Sequence, residues 1–217
     1  MLLERCCTKA SEVAEAFEFG AGRVELCERL GIGGVTPSAE NIAASVAVGI
    51  PVNVLIRPRG GSFVYSEKEI LEMLSGIRLC RELGANGIVT GALNPDGSIC
   101  VETMRRLMAE AREGERRLEV TFHRAFDECR NPLDSMERII SLGCDRILTS
   151  GQEPTAPEGC RLIASLVRES AGRIIIMPGS GVTPENLEWL AARTGATEFH
   201  GTKLCRKSGP ASGPVAY

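Results

Sequence analysis

Aromatic residues are scarce: six Phe, two Tyr and one Trp make up 4% of 217 residues. That shortage argues against a sandwich of aromatic-rich strands, while 24 glycines favour short turns between packed elements. Charge of one predominant sign is also missing. Lys and Arg total 25 against 28 Asp and Glu, a formal net charge of -3. Such a balance excludes a dedicated nucleic-acid or anionic-membrane binder, which relies on clustered cations. No apolar run approaches the roughly 18 residues of a membrane-spanning helix, and no basic-then-apolar leader opens the chain. These absences predict a protein of the reducing cytosol, without a membrane or nucleic-acid partner. The nine cysteines are odd in number and contain no C-x-x-C pair. Neither a zinc finger nor a disulfide framework is expected, and most read as free, buried, small hydrophobes.

What the chain does have is a rhythm. Short apolar runs recur at residues 2–6, 23–27, 52–56, 87–90, 118–122, 146–149, 173–177 and 197–200. Stretches with helical period lie between them, at 38–48, 67–83, 101–112, 133–142, 158–170 and 184–192, and a further helix ends at Gly20. Ser66 with Glu69, and Thr183 with Pro184, mark two helix starts. Gly84, Gly143 and Gly195 mark helix ends. Eight strands alternating with seven helices predict a TIM-type (β/α)8 barrel domain over residues 1–202. An open doubly wound sheet is the second choice, since no G-x-G-x-x-G follows the first strand. Such barrels typically need about 250 residues, and the shortfall lies after strand eight. Residues 203–217 carry Gly209, Pro210, Gly213 and Pro214. They read as an irregular, flexible tail, so the barrel lacks its eighth helix in this chain.

Alternation along each strand sorts side chains into helix-facing and barrel-facing sets. Arg23, Glu25 and Cys27 face inward, as do Asn53, Leu55 and Arg57; Glu119, Thr121 and His123; and Glu198 and His200. Strand one is ambiguous, because turning Glu4 and Cys6 inward sends Arg5 toward the helices. A charge inside a barrel costs several kcal/mol unless paired, so Glu4, Glu25, Arg57 and His123 are expected to satisfy one another in a single cluster. Two readings of that cluster stay open. It is a salt-bridge plug, or it is acid–base machinery with Glu4, Glu25 and His123 as catalytic candidates. Arg57, Arg59, Arg124 and the backbone of Gly179, Ser180 and Gly181 form a candidate anion site at the same mouth. It suits a small phosphorylated or sugar-acid-like substrate and lyase, isomerase or hydrolase chemistry.

Glu4-Arg5-Cys6 and Glu25-Leu26-Cys27 repeat one pattern on consecutive strands, and neighbouring strands lie about 4.8 Å apart. Two inward thiolates suit Cu(I), or zinc if His123 or His200 joined them. The alternative is that Cys6 and Cys27 are well-packed small residues beneath the site.

Several long blocks then point to a family. RPRGGSFVYS at 57–66, VTFHRAFD at 120–127, LTSG at 148–151 and GVTPS at 34–38 resemble the CutC copper homeostasis proteins. RVELC at 23–27, IMPGSGV at 176–182 and GATEFH at 195–200 extend the match along the barrel. Their wording is closest to animal members. The resemblance implies a TIM-type barrel and a protein of the cytoplasm, and also of the nucleus, that handles copper. The cysteines proposed to hold Cu(I) in animal members fall on Cys6 and Cys27. Four positions depart from the family: Ser62 replaces Asp, Gly201-Thr202 replaces Cys/Ser-Ala, and Cys7 replaces Val. Members also continue into a last helix. Its absence would leave an apolar strip along strands eight and one, a candidate homo-oligomer contact.

Overall fold

Each apolar run is short enough to cross a barrel once, and each helical stretch carries one apolar face to cover it. The computed structural model, which describes residues 1–205, turns that rhythm into alternating strands and helices. In order they are β1 (Leu2–Cys7), α1 (Ala10–Glu18), β2 (Arg23–Leu26), α2 (Ala39–Val46), β3 (Val52–Leu55) and α3 (Glu67–Glu82). β4 (Gly87–Thr90), α4 (Val101–Ala111), β5 (Glu119–Phe122), α5 (Pro132–Leu142) and β6 (Arg146–Thr149) follow. The barrel ends with α6 (Cys160–Ser170), β7 (Ile175–Pro178), α7 (Leu187–Thr194) and β8 (Glu198–Gly201). Single 3-10 turns at Leu30–Ile32 and Arg124–Glu128 follow β2 and β5.

All eight strands are parallel, in the order β7-β6-β5-β4-β3-β2-β1-β8. Seven ladders hold them, and among the described residues none joins β7 to β8, although the two lie side by side. The fold is a nearly closed (β/α)8-type barrel with seven α-helices among the described residues.

Outward side chains such as Val24, Val54, Ile56, Ile88, Val120, Phe122 and Phe199 are fully buried under the helix layer. They form the main core with Ile42, Ile77, Leu107, Ile139, Ile163 and Leu190 from the helices. A second, small apolar cluster of Cys6, Cys27, Leu55 and Val89 sits inside the barrel. The ambiguity of β1 resolves in favour of Glu4 and Cys6 inward. Arg5 does reach the helix layer, where Glu15 holds it at 2.5 Å and the carbonyl of Cys205 at 2.8 Å.

Two expected boundaries shift. Arg173 belongs to the turn before β7, its amide bonded to Ser170 and its guanidinium paired with Glu137. α7 starts three residues after Pro184, because the Asn186 side chain takes the Thr183 amide and closes a turn there. Leu204 is buried in the core, so the packed body includes part of the expected tail. The rest of that tail, 206–217, lies outside the described residues. On β8, Phe199 is fully buried, and Leu204 belongs with it to the main core.

The long α3 opens on the expected reciprocal cap. Ser66 Oγ accepts the Glu69 amide at 3.4 Å, and Glu69 Oε2 accepts the Ser66 amide at 2.7 Å. Ser66→Ala should therefore cost about 1 kcal/mol of stability, read as a lower urea midpoint at unchanged slope. An unchanged midpoint would show that the helix does not depend on this cap.

Candidate functional site

The site rests on a chain of charges at the base of the barrel. Glu4 on β1 accepts from Arg23 Nε on β2 at 2.5 Å, and Arg23 Nη2 reaches Glu198 on β8 at 2.6 Å. Arg146 on β6 then bonds Glu198 at 2.7 Å and Glu119 on β5 at 2.7 Å. Signs alternate along all five residues, so each buried charge touches its opposite. Higher in the barrel, the second oxygen of Glu4 meets His200 Nδ1 at 2.8 Å. Burial pushes the Glu4 carboxyl up, but the His200 hydrogen bond and the Arg23 charge outweigh it and hold Glu4 well below the usual range. His200 is displaced upward: burial opposes its charge, and Glu25 and Glu4 more than compensate. Glu25 faces Cys6 across the β1–β2 ladder, and burial raises its carboxyl to about 7.

The expected single cluster of Glu4, Glu25, Arg57 and His123 does not form. Glu4 finds its partners at the start of β2 and toward the end of β8, because the strand register sets Glu4 beside Arg23 and His200. Arg57, just after β3, turns to loop carbonyls instead: Gly33 at 2.9 Å, Gly34 at 3.3 Å and Gly61 at 2.7 Å. Its guanidinium also lies over the Phe63 ring, 4.6 Å from the centroid. His123, just after β5, accepts the Ala125 amide on Nδ1 at 3.2 Å. Burial, with Arg57 adding to it, pulls His123 down to about 3, so its ring is neutral.

Above these groups opens a cavity of about 380 Å³. Cys6, Glu25, Arg57, His123, Arg124 and His200 line it, with Leu55, Phe63 and Leu148 as apolar wall. Of the expected anion site, Ser180 and Gly181 reach the cavity, both in left-handed backbone. Two members do not serve as expected. The Gly179 amide is spent on the Thr149 carbonyl at 2.9 Å. Arg59 is absent from the lining: it pairs with Glu69 at 2.6 Å, caps the Ser62 and Val64 carbonyls, and stacks on Tyr65. Arg124 lines the rim, anchored to Asp127 at 2.8 Å and to Ser150 at 2.9 Å.

Asp127 is a hub that alternation along strands could not reveal, since it lies in a 3-10 turn. Its carboxylate accepts from Thr149 Oγ1 at 2.5 Å, from the Ser150 amide at 3.0 Å and from the Gln152 amide at 3.2 Å. Its sequence signals were the Phe-Asp end of the 120–127 block and the Thr149-Ser150-Gly151 turn, which proves to be its partner.

The paired Glu-x-Cys motif does bring its cysteines together. Cys6 Sγ and Cys27 Sγ lie 3.7 Å apart and unbridged, and all nine cysteines are free. The Cys27 hydrogen bond and burial push the Cys6 thiol well above its ordinary value, so it is protonated at neutral pH. One Glu25 oxygen and both sulfurs fall within 4.8 Å of one another; so do donor atoms of Glu4, Glu25 and His200. No described helix is long and apolar enough to cross a membrane.

Comparison with known proteins places this architecture. The CutC family model matches residues 1–205. A CutC family protein of Parabacteroides distasonis is 50% identical over 201 residues, 92% of this chain and 81% of that one. The human copper homeostasis protein cutC homolog is 46% identical over 200 residues, 92% of this chain and 72% of that one. Bacterial relatives thus match at least as well as the animal one. Among solved structures, the CutC protein of Streptococcus agalactiae superposes with a TM-score of 0.88 at 33% identity, covering 94% of this chain and 99% of that one. The chain belongs to the CutC family of copper homeostasis proteins.

Proposed function

We propose that this protein binds Cu(I) as cargo through Cys6 and Cys27, buffering or carrying it in the reducing cytoplasm and nucleus. The observation that carries the reading is the 3.7 Å separation of two free sulfurs, one of them on the cavity wall. Two sulfurs about 2.3 Å from one tetrahedral ion lie about 3.8 Å apart, so this pair could share an ion with little movement. Softness favours copper over harder ions, since thiolates select Cu(I). The alternative cluster of Glu4, Glu25 and His200 offers hard carboxylates, with Glu4 already held by Arg23 and His200. Leu55 and Val89 close around the sulfurs and supply the dry shell that a thiolate–copper bond tolerates.

Because the Cys6 thiol is protonated at neutral pH, binding must release its proton, and apparent affinity should climb with pH. Anaerobic titration of Cu(I) against a competing chelator tests the reading. The Cys6→Ser/Cys27→Ser double variant should lose affinity by at least about 100-fold, as expected when both soft ligands go. Wild-type affinity in the double variant would sink the proposal.

A further inference from the structure

The cavity wall mixes acidic and basic groups. Glu25 and His200 line it from β2 and β8, Arg57 follows β3 beside β2, and His123 follows β5 across the barrel. On this wall three atoms have no hydrogen-bond partner among the described residues: Glu25 Oε2, Arg57 Nε and His123 Nε2. Their residues line the cavity and are only 7%, 6% and 5% exposed. Five other buried side-chain atoms are also unpartnered, Asn53 Nδ2 and Thr121 Oγ1 inside the barrel among them, so it is the convergence of three on one chamber that points to a partner.

Their chemistry describes that partner. His123 accepts the Ala125 amide on Nδ1, which leaves the ring proton on Nε2 as a donor. Arg57 Nε–H is a second donor. The other three arginines buried among the described residues each hold a carboxylate: Arg5 has Glu15, Arg23 has Glu4 and Glu198, and Arg146 has Glu198 and Glu119. Arg57 alone among them meets no carboxylate: neutral carbonyls and the Tyr65 hydroxyl are its polar neighbours, with a ring face beneath it. A buried guanidinium without an anion is costly, and a ligand's anionic group would complete it. Glu25, on the strand next to Arg57, offers an acceptor, and Leu55, Phe63 and Leu148 offer apolar contact.

We propose that the barrel mouth is a binding site for a small hydroxylated anion, whose carboxylate or phosphate sits on Arg57 and His123 while a hydroxyl donates to Glu25. About 380 Å³ falls in the size range of small-molecule pockets. Neither thiol holds the anion, but Cys6 lines the same cavity and a Glu25 oxygen lies within 4.8 Å of both sulfurs, so the two sites are told apart by working without copper.

The test uses metal-free wild-type protein kept in chelator and reductant. Calorimetry and thermal shift are run with D-ribose 5-phosphate, sn-glycerol 3-phosphate, D-gluconate and D-glucuronate, with ribose and inorganic phosphate as controls. At least one phosphate ester or sugar acid should bind with a Kd of about 1 mM or tighter, and ribose should not. Comparing the phosphate and carboxylate arms identifies the anionic group. His123→Phe, which keeps a ring against Phe63, should weaken binding about ten-fold or more, the worth of a lost charge-assisted bond. Arg57→Lys should do the same, and His123→Phe carries the test if Arg57→Lys fails to fold. An empty panel, unchanged affinity in the folded variants, equal binding of ribose, or inorganic phosphate binding as tightly as the best ester would each overturn the assignment.

Discussion

Arg23→Met should lower the unfolding free energy by about 3–5 kcal/mol, the usual cost of breaking a buried ion pair from one side. Arg23 is 3% exposed and bridges Glu4, fully buried, to Glu198. Methionine fills the same space beside Met177, the neighbour that Arg23 Nη2 meets at 3.4 Å, yet it leaves two carboxylates facing each other's field. The loss should depend on pH with a definite sign. In the wild type the folded Glu4 carboxyl lies below its unfolded value of 4.5, so it stabilises above that pH and its contribution fades as pH falls toward about 2. Without Arg23 the folded carboxyl moves up, and acid neutralises the orphan earlier. The gap between variant and wild type should therefore narrow as pH drops from 7 toward 4. Urea titrations at several pH values would read both effects. A deficit below about 1 kcal/mol, within the range of an exposed pair, or one flat in pH, would show that the charge chain is not holding the base of the barrel. Adding Glu4→Gln should recover part of the loss.

Gly159→Ala should be nearly as damaging, by about 3 kcal/mol or more, for a purely steric reason. Gly159 caps α6, and a Cβ there would overlap the carbonyl oxygen of Ser150; one on Gly151 would overlap the Gly159 carbonyl in turn. Both obstacles are backbone, so no side chain can swing away. Ser150 cannot retreat either, since Asp127 holds its amide and its hydroxyl. Gly172 provides the control. Its φ is +74°, but nothing lies within 4 Å of its added Cβ, so Gly172→Ala should cost only the left-handed penalty of about 1 kcal/mol. Thermal melts of the pair should separate them clearly. Equal losses would mean that the β6–α6 contact yields more easily than two backbones should.

The strand rhythm was legible because every strand buries one face under helices, which forces Val24 or Val54 to alternate with Arg23 or Asn53. The thiol pair was legible for the same reason: Glu4-Arg5-Cys6 and Glu25-Leu26-Cys27 repeat on adjacent strands, and inward-pointing residues have nowhere else to go. Partners were not legible. Glu4 pairs across 19 and 196 positions, a choice set by register and side-chain reach rather than by local pattern. Arg57 and Arg59 look equivalent in Arg-Pro-Arg-Gly-Gly, yet the first reaches the carbonyls of the β2 loop and the second turns to Glu69 at the start of α3. Strand alternation stops at the strand's end, and the loop geometry beyond it carries no period to read. Loop residues such as Asp127 and Gly179 therefore acquire their roles only in three dimensions.

The unladdered join between β7 and β8 gives the barrel an unequal circumference. Seven joints are zipped by amides, which salt and pH barely touch. The eighth is a clasp: Arg23 spans Met177 on one side and Glu198 on the other, while Arg146 anchors Glu198 from β6. Among the described residues, parting the two staves there breaks no strand-to-strand amide bond, so this join should yield before the other seven. That place adjoins Val182 and Thr202, both on the cavity wall. The barrel thus has a hoop's stiffness everywhere except along one seam, which charge fastens at the base and which runs up to the mouth.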